Sequence, residues 1–425
     1  MLKKLLFLFQ WNTLVKPWQN IDWTLLMLVI GMTVWGSLMI RSVELNQGWA
    51  EWWQHLITGL IGLVLAMVIA RNRYDRLLQI YWWIYGITNV GLLTVMFLGT
   101  EALGAQRWIS IAGFNLQPSE FAKIGLIVTL AGLLHEKPAN TIPNMFRTLG
   151  IMLVPWSLVF LEPNLGTSLV LVAITLGMLY WANTNPSWIL VLLSPVISAI
   201  LYNVSLPLWI LWAIIIVIAA WFSLPWRIIS TLCAFSINFI SGQLSHFMWG
   251  VLKDYQKDRI VLFLDPDRDP LGGGYHLIQS RIAIGAGQLW GQGLNHGTQT
   301  QLNFIPEQHT DFIFAAIGEE LGFAGGFFML ISFWLICLRL VFIAQGAKDN
   351  FGSLLAIGLL SMIVFQTLVN VGMTIGVAPI TGIPLPWLSY GRSALLAIYI
   401  GVGLVESVTN YSQPLRFTSN KTNKS

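Results

Sequence analysis

Charged side chains are scarce in this chain: only 10% of its 425 residues are Asp, Glu, Lys or Arg. A soluble domain carries about 25% charged residues, so this chain lacks the polar surface that a water-soluble globule of its size needs. Apolar residues make up 56% of the sequence, and it is rich in Trp, Phe and Tyr, whose rings favour membrane interfaces. The composition excludes a soluble enzyme and predicts an integral membrane protein.

Cysteine is also nearly absent. Cys233 and Cys337 are the two in the chain, and both lie inside apolar runs. Two such isolated residues exclude a disulfide framework and a thiolate metal site, and they predict small packing side chains instead. The six histidines do not show the spacing of metal ligands. The sequence therefore predicts no metal site.

Long apolar runs dominate what remains, and a membrane-spanning helix needs about 20 mainly apolar residues. The twelve predicted spans are 23–41, 54–70, 77–99, 119–135, 145–161, 165–183, 187–203, 207–222, 228–250, 311–338, 352–377 and 387–409. Prolines interrupt the stretch around 187–250, so ten spans remain an alternative. The predicted fold class is all-α, a polytopic transmembrane helical bundle of 10–12 spans with twelve as the best count.

The predicted bundle forms a single transmembrane domain, residues 1–410, followed by a disordered cytoplasmic tail, residues 411–425. A large polar loop, residues 251–310, precedes the tenth predicted span. With a cytoplasmic N-terminus, 14 of the 23 basic residues fall on the inner side, as the positive-inside rule requires. Both termini are therefore predicted to be cytoplasmic, and the loop to face outward.

Carboxylates concentrate in this outer loop and just after it, where nine of the chain's 19 acids lie between residues 254 and 320. Polar surface is costly in a membrane protein, so such a concentration predicts a site that faces the outer aqueous phase. Asp311 stands where the loop ends and a long apolar helix begins. A partly desolvated carboxylate there suits a general base, although a helix-capping role stays open.

Two further polar stretches flank predicted spans. The first contains Arg107 and Trp108, then Gln117-Pro-Ser-Glu120 and Lys123. Pro and Glu in the first turn predict a helix start, and the spacing of Glu120 and Lys123 puts them on one helix face, where a local ion pair is the simpler alternative to a binding role. The second stretch, residues 370–391, has three prolines in eight residues and predicts a turn before the last span.

These stretches together resemble the SEDS family (shape, elongation, division and sporulation), which includes RodA and FtsW. The resemblance extends from the first span to the last, in the family's order of motifs. It is carried by GAQRW, QPSE with Lys123, LDP, GYHLIQS, AIGAGQLWGQG, PEQHTDFIF, EELGF, NVGM and GIPLPWLSYG. The run HGTQTQLNFIPEQHTDFIF is more similar to RodA than to FtsW.

The resemblance implies a peptidoglycan glycosyltransferase in the bacterial cell membrane. Such an enzyme joins the disaccharide units of lipid II into glycan strands for cell-wall elongation and rod shape, and it releases undecaprenyl pyrophosphate. Asp311 falls on the family's essential acid. The implied substrate-binding residues are Arg107, Trp108, Gln117, Glu120, Lys123, Gln256, Arg259, Gln279, Ser280, Glu307 and His309. The family also implies a class B penicillin-binding transpeptidase as partner beside membrane lipids, no nucleic acid, and no established cofactor, with a divalent cation left open.

Three positions depart from the family pattern. The usual QPDLGT reads Glu162-Pro-Asn164-Leu-Gly-Thr, so the acid has moved by two positions. The usual SYGGS carries Arg392, and the stretch 184–250 is long enough for an additional helix pair. Two other functions stay open, a flippase that moves lipid II across the bilayer and a scaffold without catalysis. A flippase tends to show internal repeats and charges near the bilayer midplane, and neither is evident here.

Overall fold

The computed structural model describes residues 18, 20–45, 51–102, 105–111, 114–162, 164–251, 269, 274–305 and 307–412. In chain order its helices are α1 (Trp23–Glu44), α2 (Glu51–Arg71), α3 (Leu77–Leu98), α4 (Pro118–Glu136), α5 (Ile142–Leu161), α6 (Leu165–Trp181), α7 (Pro186–Val204), α8 (Leu206–Ser223), α9 (Arg227–Val251), α10 (Tyr275–Ala286), α11 (Thr298–Gln301), α12 (Ile313–Gly346), α13 (Asn350–Ile375) and α14 (Arg392–Tyr411). The all-helical bundle predicted from the sequence is confirmed.

Each of the twelve predicted spans corresponds to one helix. Among the described residues, ten helices are both long and apolar enough to cross a membrane. Of the other two, α6 has 17 residues, and α4 carries Glu120, Lys123 and Glu136. The chain is a multi-pass membrane protein, and the predicted range of 10–12 spans is confirmed.

The predicted end of the span 311–338 is eight residues short, because α12 continues to Gly346. The residue that follows the predicted end, Arg339, is charged. In the structure its Nε donates a 2.8 Å hydrogen bond to Oδ2 of Asp22 at the start of α1. An ion pair between two helices lets this arginine remain inside a long helix.

A small antiparallel sheet lies between α3 and α4, and the sequence did not predict it. Its strands are β1 (Thr100–Ala102), β2 (Ala105–Ile111) and β3 (Phe114–Leu116), in that spatial order. Thr100 pairs with Trp108, and Ile109 pairs with Leu116. The strands are so short that the alternation of polar and apolar residues, which identifies a strand, barely develops. The sheet fixes the backbone on which Arg107 and Trp108 are displayed.

The centre of the bundle is formed by α4, α13 and α14, where most side chains are buried. Small residues allow close helix contact there, as is usual in membranes. At Gly403 an added Cβ would lie 2.7 Å from the Cα of Ala66. By contrast, α7, α8 and α9 pack mainly on one another around Ile216, Ala220 and Ala234. These three helices occupy the stretch for which the sequence predicts an additional helix pair.

Candidate active site

The proline-rich segment between α13 and α14, residues 376–391, is where the separate sequence motifs meet. Gly382 adjoins the carboxylate of Asp311, since a Cβ added to this glycine would lie 3.3 Å from Oδ2. Gly166, at the start of α6, adjoins Thr381, whose carbonyl oxygen would be 2.9 Å from an added Cβ. Prolines without N–H groups hold this irregular backbone between two helices. The segment therefore adjoins both Asp311 and the start of α6, which follows Glu162.

Asp311 is partly exposed and lies in a turn just before α12. Its N–H donates a 3.1 Å hydrogen bond to the carbonyl oxygen of Glu307. The side-chain amide of Asn370 donates to the carbonyl oxygens of Asp311 and Ile383, at 2.9 and 2.8 Å. The helical N-cap position is occupied by Phe312, not by Asp311. The backbone of Asp311 is thus fixed from α13, and its carboxylate is directed at Gly382.

A kink at Gly322 divides α12 into two parts, and the first part begins next to Asp311. Gly322 has φ of 67° and ψ of −165°, which interrupts the helical hydrogen bonds. The loop after α10 replaces them: the N–H of Gln292 donates to the carbonyl of Glu319, and the N–H of Phe323 donates to the carbonyl of Gln288, at 2.9 and 2.8 Å. Irregular backbone inside a membrane protein needs such compensation.

Two fully buried acids of the EELGF motif, Glu319 and Glu320, fasten neighbouring elements to the first part of α12. Glu319 accepts hydrogen bonds from the backbone N–H groups of Gln299 and Thr300, at 2.7 and 2.8 Å, at the start of α11. Glu320 accepts from the hydroxyl of Ser42 on α1 at 2.6 Å. Glu319 therefore holds the loop that leads to Asp311. Glu320 joins α12 to α1 and also contacts this loop, since the side-chain amide of Gln301 donates to it at 3.4 Å.

The predicted contact between Glu120 and Lys123 is present. Nζ of Lys123 lies 2.7 Å from Oε2 of Glu120, and both side chains are almost completely buried. The pair lines a cavity of about 20 Å³ together with Gln366, Pro384 and Ser389, enough for one water molecule. Gln117 precedes the same helix, and its N–H donates to the hydroxyl of Ser393 at 3.0 Å. These residues tie α4 to α13, α14 and the proline-rich segment.

Arg107 on β2 and Glu162 after α5 are neighbours in the structure. Nε of Arg107 donates to the backbone carbonyl oxygen of Glu162 at 3.3 Å. The carboxyl group of Glu162 is 3% exposed, and burial raises its pKa to about 8, although Arg107 acts in the opposite direction. Trp108, the neighbour of Arg107 on the strand, is partly exposed. The displaced acid of the family pattern is therefore a buried carboxyl beside a predicted substrate-binding arginine.

His309 lies in a polar cluster with Glu51, Tyr390 and Gln54. Its Nε2 is 3.3 Å from Oε2 of Glu51 at the start of α2. The hydroxyl of Tyr390 donates to Oε1 of Gln54 at 2.9 Å, and the N–H of Tyr390 donates to the carbonyl oxygen of His309 at 2.9 Å. Burial raises the pKa of the Tyr390 phenol to about 12, so this hydroxyl remains a hydrogen-bond donor.

The remaining predicted residues are dispersed. Ser280 on α10 is buried and donates a 2.8 Å hydrogen bond to the carbonyl oxygen of Thr374, which is a packing contact. Gln279 is half-buried and Glu307 is exposed. Gln256 and Arg259, most of the loop 251–310 before residue 274, and the tail from residue 413 lie outside the described residues.

The described part of the chain contains no cluster of three or more His, Cys, Asp or Glu side chains that could bind a metal ion. Several residues of the site are not among the catalytic and substrate-binding residues predicted from the sequence: Glu51 and Tyr390 beside His309, Asn370 behind Asp311, and the paired acids at 319 and 320. Asn370 and the paired acids belong to the motifs NVGM and EELGF, so the signal was present. Glu51 had no signal, because a lone acid at the start of a helix is common.

The chain is similar to known proteins over nearly its whole length. A family model for FtsW, RodA and SpoVE, described as "Cell cycle protein", matches residues 19–211 and 206–414. "Peptidoglycan glycosyltransferase MrdB" of Escherichia coli K12 is 33% identical over 405 residues, covering 93% of this chain and 95% of that protein. "Peptidoglycan glycosyltransferase RodA" of Treponema pallidum is 33% identical over 431 residues, covering 93% and 98%.

A solved structure shares the fold as well. It is described as "Structural coordination of polymerization and crosslinking by a peptidoglycan synthase complex". The similar chain has a TM-score of 0.70 and 27% identity, with 93% of this chain and 99% of that chain covered. The similarity in sequence and in fold thus covers more than nine tenths of the chain.

Proposed function

The chain belongs to the FtsW/RodA/SpoVE family of cell cycle proteins, and we propose that it is a peptidoglycan glycosyltransferase which polymerises lipid II into glycan strands. One observation carries the proposal: a carboxylate, Asp311, is held at the start of a broken helix and directed at the proline-rich segment. This arrangement suits a base that must stay in one position while a large lipid-linked sugar binds beside it.

In the proposed mechanism, Asp311 accepts the proton of the sugar hydroxyl that attacks the anomeric carbon of a second lipid-linked sugar. The carbon–oxygen bond to the diphosphate breaks in the same displacement. An α-linked donor then gives a β-linked strand, with inversion and without a covalent enzyme intermediate. The leaving group is undecaprenyl pyrophosphate, which gains negative charge as the bond breaks.

Cations near the diphosphate stabilise that charge. We propose Arg107, Lys123 and Arg259 for this role and Trp108 as a platform for a sugar ring or the lipid. Because Lys123 is paired with the buried Glu120 at 2.7 Å, it would act on the diphosphate from within the wall of the site, and Arg107 is the stronger candidate for direct contact. His309, Glu307, Gln117 and Gln279 would bind the disaccharide through hydrogen bonds.

The proposed setting is the bacterial cell membrane, with both termini in the cytoplasm and the active site on the outer face. The distribution of basic residues supports this orientation. A class B penicillin-binding transpeptidase is the proposed partner, and its support is the similar chain in a peptidoglycan synthase complex. Such a pair would polymerise and cross-link strands at one location.

The test is polymerisation of labelled lipid II by the purified protein with its transpeptidase partner, with products resolved on a gel. Wild type and Asp311→Asn are compared, and moenomycin silences contaminating conventional glycosyltransferases. A glycan ladder from the wild type alone is expected. Equal ladders from both proteins would remove Asp311 as the base. If a folded complex gives no ladder with intact substrate, the flippase and scaffold functions replace the proposal.

A further inference from the structure

Glu162 is a buried acid that the proposed mechanism does not use. Its side chain is 3% exposed, and neither carboxyl oxygen has a hydrogen-bond partner among the described residues. A buried polar group without a hydrogen bond destabilises the folded state. The nearest functional neighbour is Arg107, whose Nε donates to the backbone carbonyl of Glu162 at 3.3 Å.

In the family pattern the acid stands at the position of Asn164, whereas in this chain the acid is Glu162. The N-cap of α6 is kept all the same. Asn164 now occupies that position, and its Oδ1 accepts the N–H of Thr167 at 3.3 Å at the start of α6. Asn and Asp are equally good N-caps, so α6 keeps its position against Thr381 and Ile383. The departure from the family pattern therefore removes a carboxyl group from the N-terminus of α6 but does not move this helix.

The two positions differ in electrostatic character. A carboxylate at residue 164 would lie at the positive end of the α6 dipole, which favours ionisation. Glu162 lies at the negative, C-terminal end of the α5 dipole. It is the C-cap of α5, and its N–H donates to the carbonyl oxygen of Leu158. Burial raises the pKa of Glu162 to about 8, and among the described residues Arg107 is the charged group that acts on it. Around neutral pH this carboxyl is therefore largely protonated.

The following inference depends on the proposed function. We propose that Glu162 is a positioning residue that acts through Arg107 and sets the strength with which the site holds the diphosphate of the lipid-linked substrate. In its neutral form it leaves the positive potential around Arg107 intact. When it ionises, it places a negative charge beside that guanidinium and weakens the attraction for the diphosphate.

Linkage sets the direction and the size of the effect. A bound diphosphate favours the neutral form of Glu162, so affinity falls as pH rises through the ionisation of this group. Charges a few ångströms apart shift a pKa by about 1–3 units, and one unit corresponds to a tenfold change in affinity. We therefore expect the Kd for lipid II to rise about tenfold between about pH 6.5 and 9.5.

The test measures lipid II binding in an Asp311→Asn background, where no turnover is expected, across that pH range. The parent should show the rise in Kd. Adding Glu162→Gln should flatten the profile to less than about a twofold change. Glu162→Asp, which keeps a titratable carboxyl, should retain a slope. Glu136→Gln, at the opposite end of α4 and exposed, serves as the control and should retain the full slope.

A flat profile in the parent, or an equal slope after Glu162→Gln, would overturn the inference. Melting temperatures show whether each variant is folded. If Glu162→Gln does not fold, Glu162→Asp carries the test through the midpoint of its profile: the shorter carboxyl lies at a different depth and should shift the midpoint, whereas an unchanged midpoint would overturn the inference. Polymerisation by the wild type is measured separately at one pH. A missing ladder there rejects the proposed function, whereas the binding profiles decide the role of Glu162 alone.

Discussion

The side-chain amide of Asn370 donates a 2.9 Å hydrogen bond to the carbonyl oxygen of Asp311. The same amide donates to the carbonyl of Ile383 at 2.8 Å. One buried side chain on α13 thus fixes both the turn that carries the proposed base and the proline-rich segment opposite it. Asn370 is 59 residues from Asp311 in the sequence. Its two hydrogen bonds fix the position of the Asp311 turn relative to the proline-rich segment.

Replacement of this amide tests the arrangement. Asn370→Ala removes the donor shared by the carbonyl oxygens of Asp311 and Ile383, and the buried contact with Ile383 alone costs about 1–3 kcal/mol when it is left unsatisfied. A displacement of the base by about 1 Å reduces turnover about 100-fold. We expect the initial rate of lipid II polymerisation to fall by one to two orders of magnitude.

Ser361→Ala is the matched control, because among the described residues the Ser361 hydroxyl donates to the carbonyl oxygen of Ile357 within the same helix, at 2.8 Å. We expect that variant to polymerise at close to the wild-type rate. A wild-type rate from folded Asn370→Ala protein would contradict the positioning role of Asn370.

The second prediction concerns Gly382, which has φ of 70° and adjoins the Asp311 carboxylate. Gly382→Ala introduces left-handed strain of about 1–2 kcal/mol and a methyl group 3.3 Å from Oδ2. Gly376→Ala is the comparison, since Gly376 has φ of 82° and its added Cβ would meet the flexible Arg281 side chain. We expect similar losses of melting temperature in both variants.

Activity should separate the two glycine variants. Only Gly382→Ala should lose polymerisation beyond what its stability explains, about tenfold or more, because only its methyl group enters the space beside the base. Equal activity of the two variants at equal stability would show that Gly382 serves the backbone alone.

The third prediction concerns the buried carboxylate of Glu319, which is called the clamp here because it holds the backbone of Gln299 and Thr300. Its carboxylate accepts the N–H groups of Gln299 and Thr300, and hydrogen bonds to a charged group contribute about 1.5–3 kcal/mol. Glu319→Gln should lower the melting temperature in detergent and slow polymerisation, since the loop 298–311 would lose its anchor. Glu136→Gln, an exposed acid whose partner is Tyr81, should change neither. Unchanged melting of Glu319→Gln would show that the clamp is dispensable.

The fourth prediction is a pH dependence of stability. Glu162 has a pKa of about 8 in the folded chain against an ordinary value of 4.5. Between those values the folded state holds a proton that the unfolded state has released. The proton's contribution to the free energy of unfolding is fully present below about pH 4.5 and is lost as pH rises to about 8. Between these values the free energy of unfolding falls by up to about 1.4 kcal/mol per pH unit.

The measurement compares the melting temperature of wild type and Glu162→Gln from about pH 5 to 9. The wild type should lose stability relative to the variant as pH rises, because only the wild type carries the titrating carboxyl. Parallel curves for the two proteins would mean that Glu162 does not titrate in this window.

Hydropathy alone predicted the helices well. All twelve predicted spans are helices in the structure, because about 20 apolar residues in a bilayer have few other ways to satisfy their backbone polar groups. The predicted end of α12 was eight residues short, because the helix continues past Arg339, which is paired with Asp22. The sheet over residues 100–116 was missed because its strands are too short for a periodic pattern.

The site divides in the same way. The sequence identified Asp311, Arg107 and the Glu120–Lys123 pair as residue types suited to the chemistry, and the resemblance gave them roles. It could not indicate that Gly166 and Gly382 bring those motifs to one segment, nor that Asn370 holds Asp311, since such contacts join residues far apart in the chain.

The amino-acid sequence by itself therefore determined the membrane class, the helices and the candidate residues of this protein. Each of those follows from local composition and motif order, which a single chain displays directly. Only the tertiary structure decided which carboxylates are clamps, which one faces the proline-rich segment, and that Glu162 is buried beside Arg107. Those outcomes depend on burial and on the distances between remote residues, and both arise only when the helices pack.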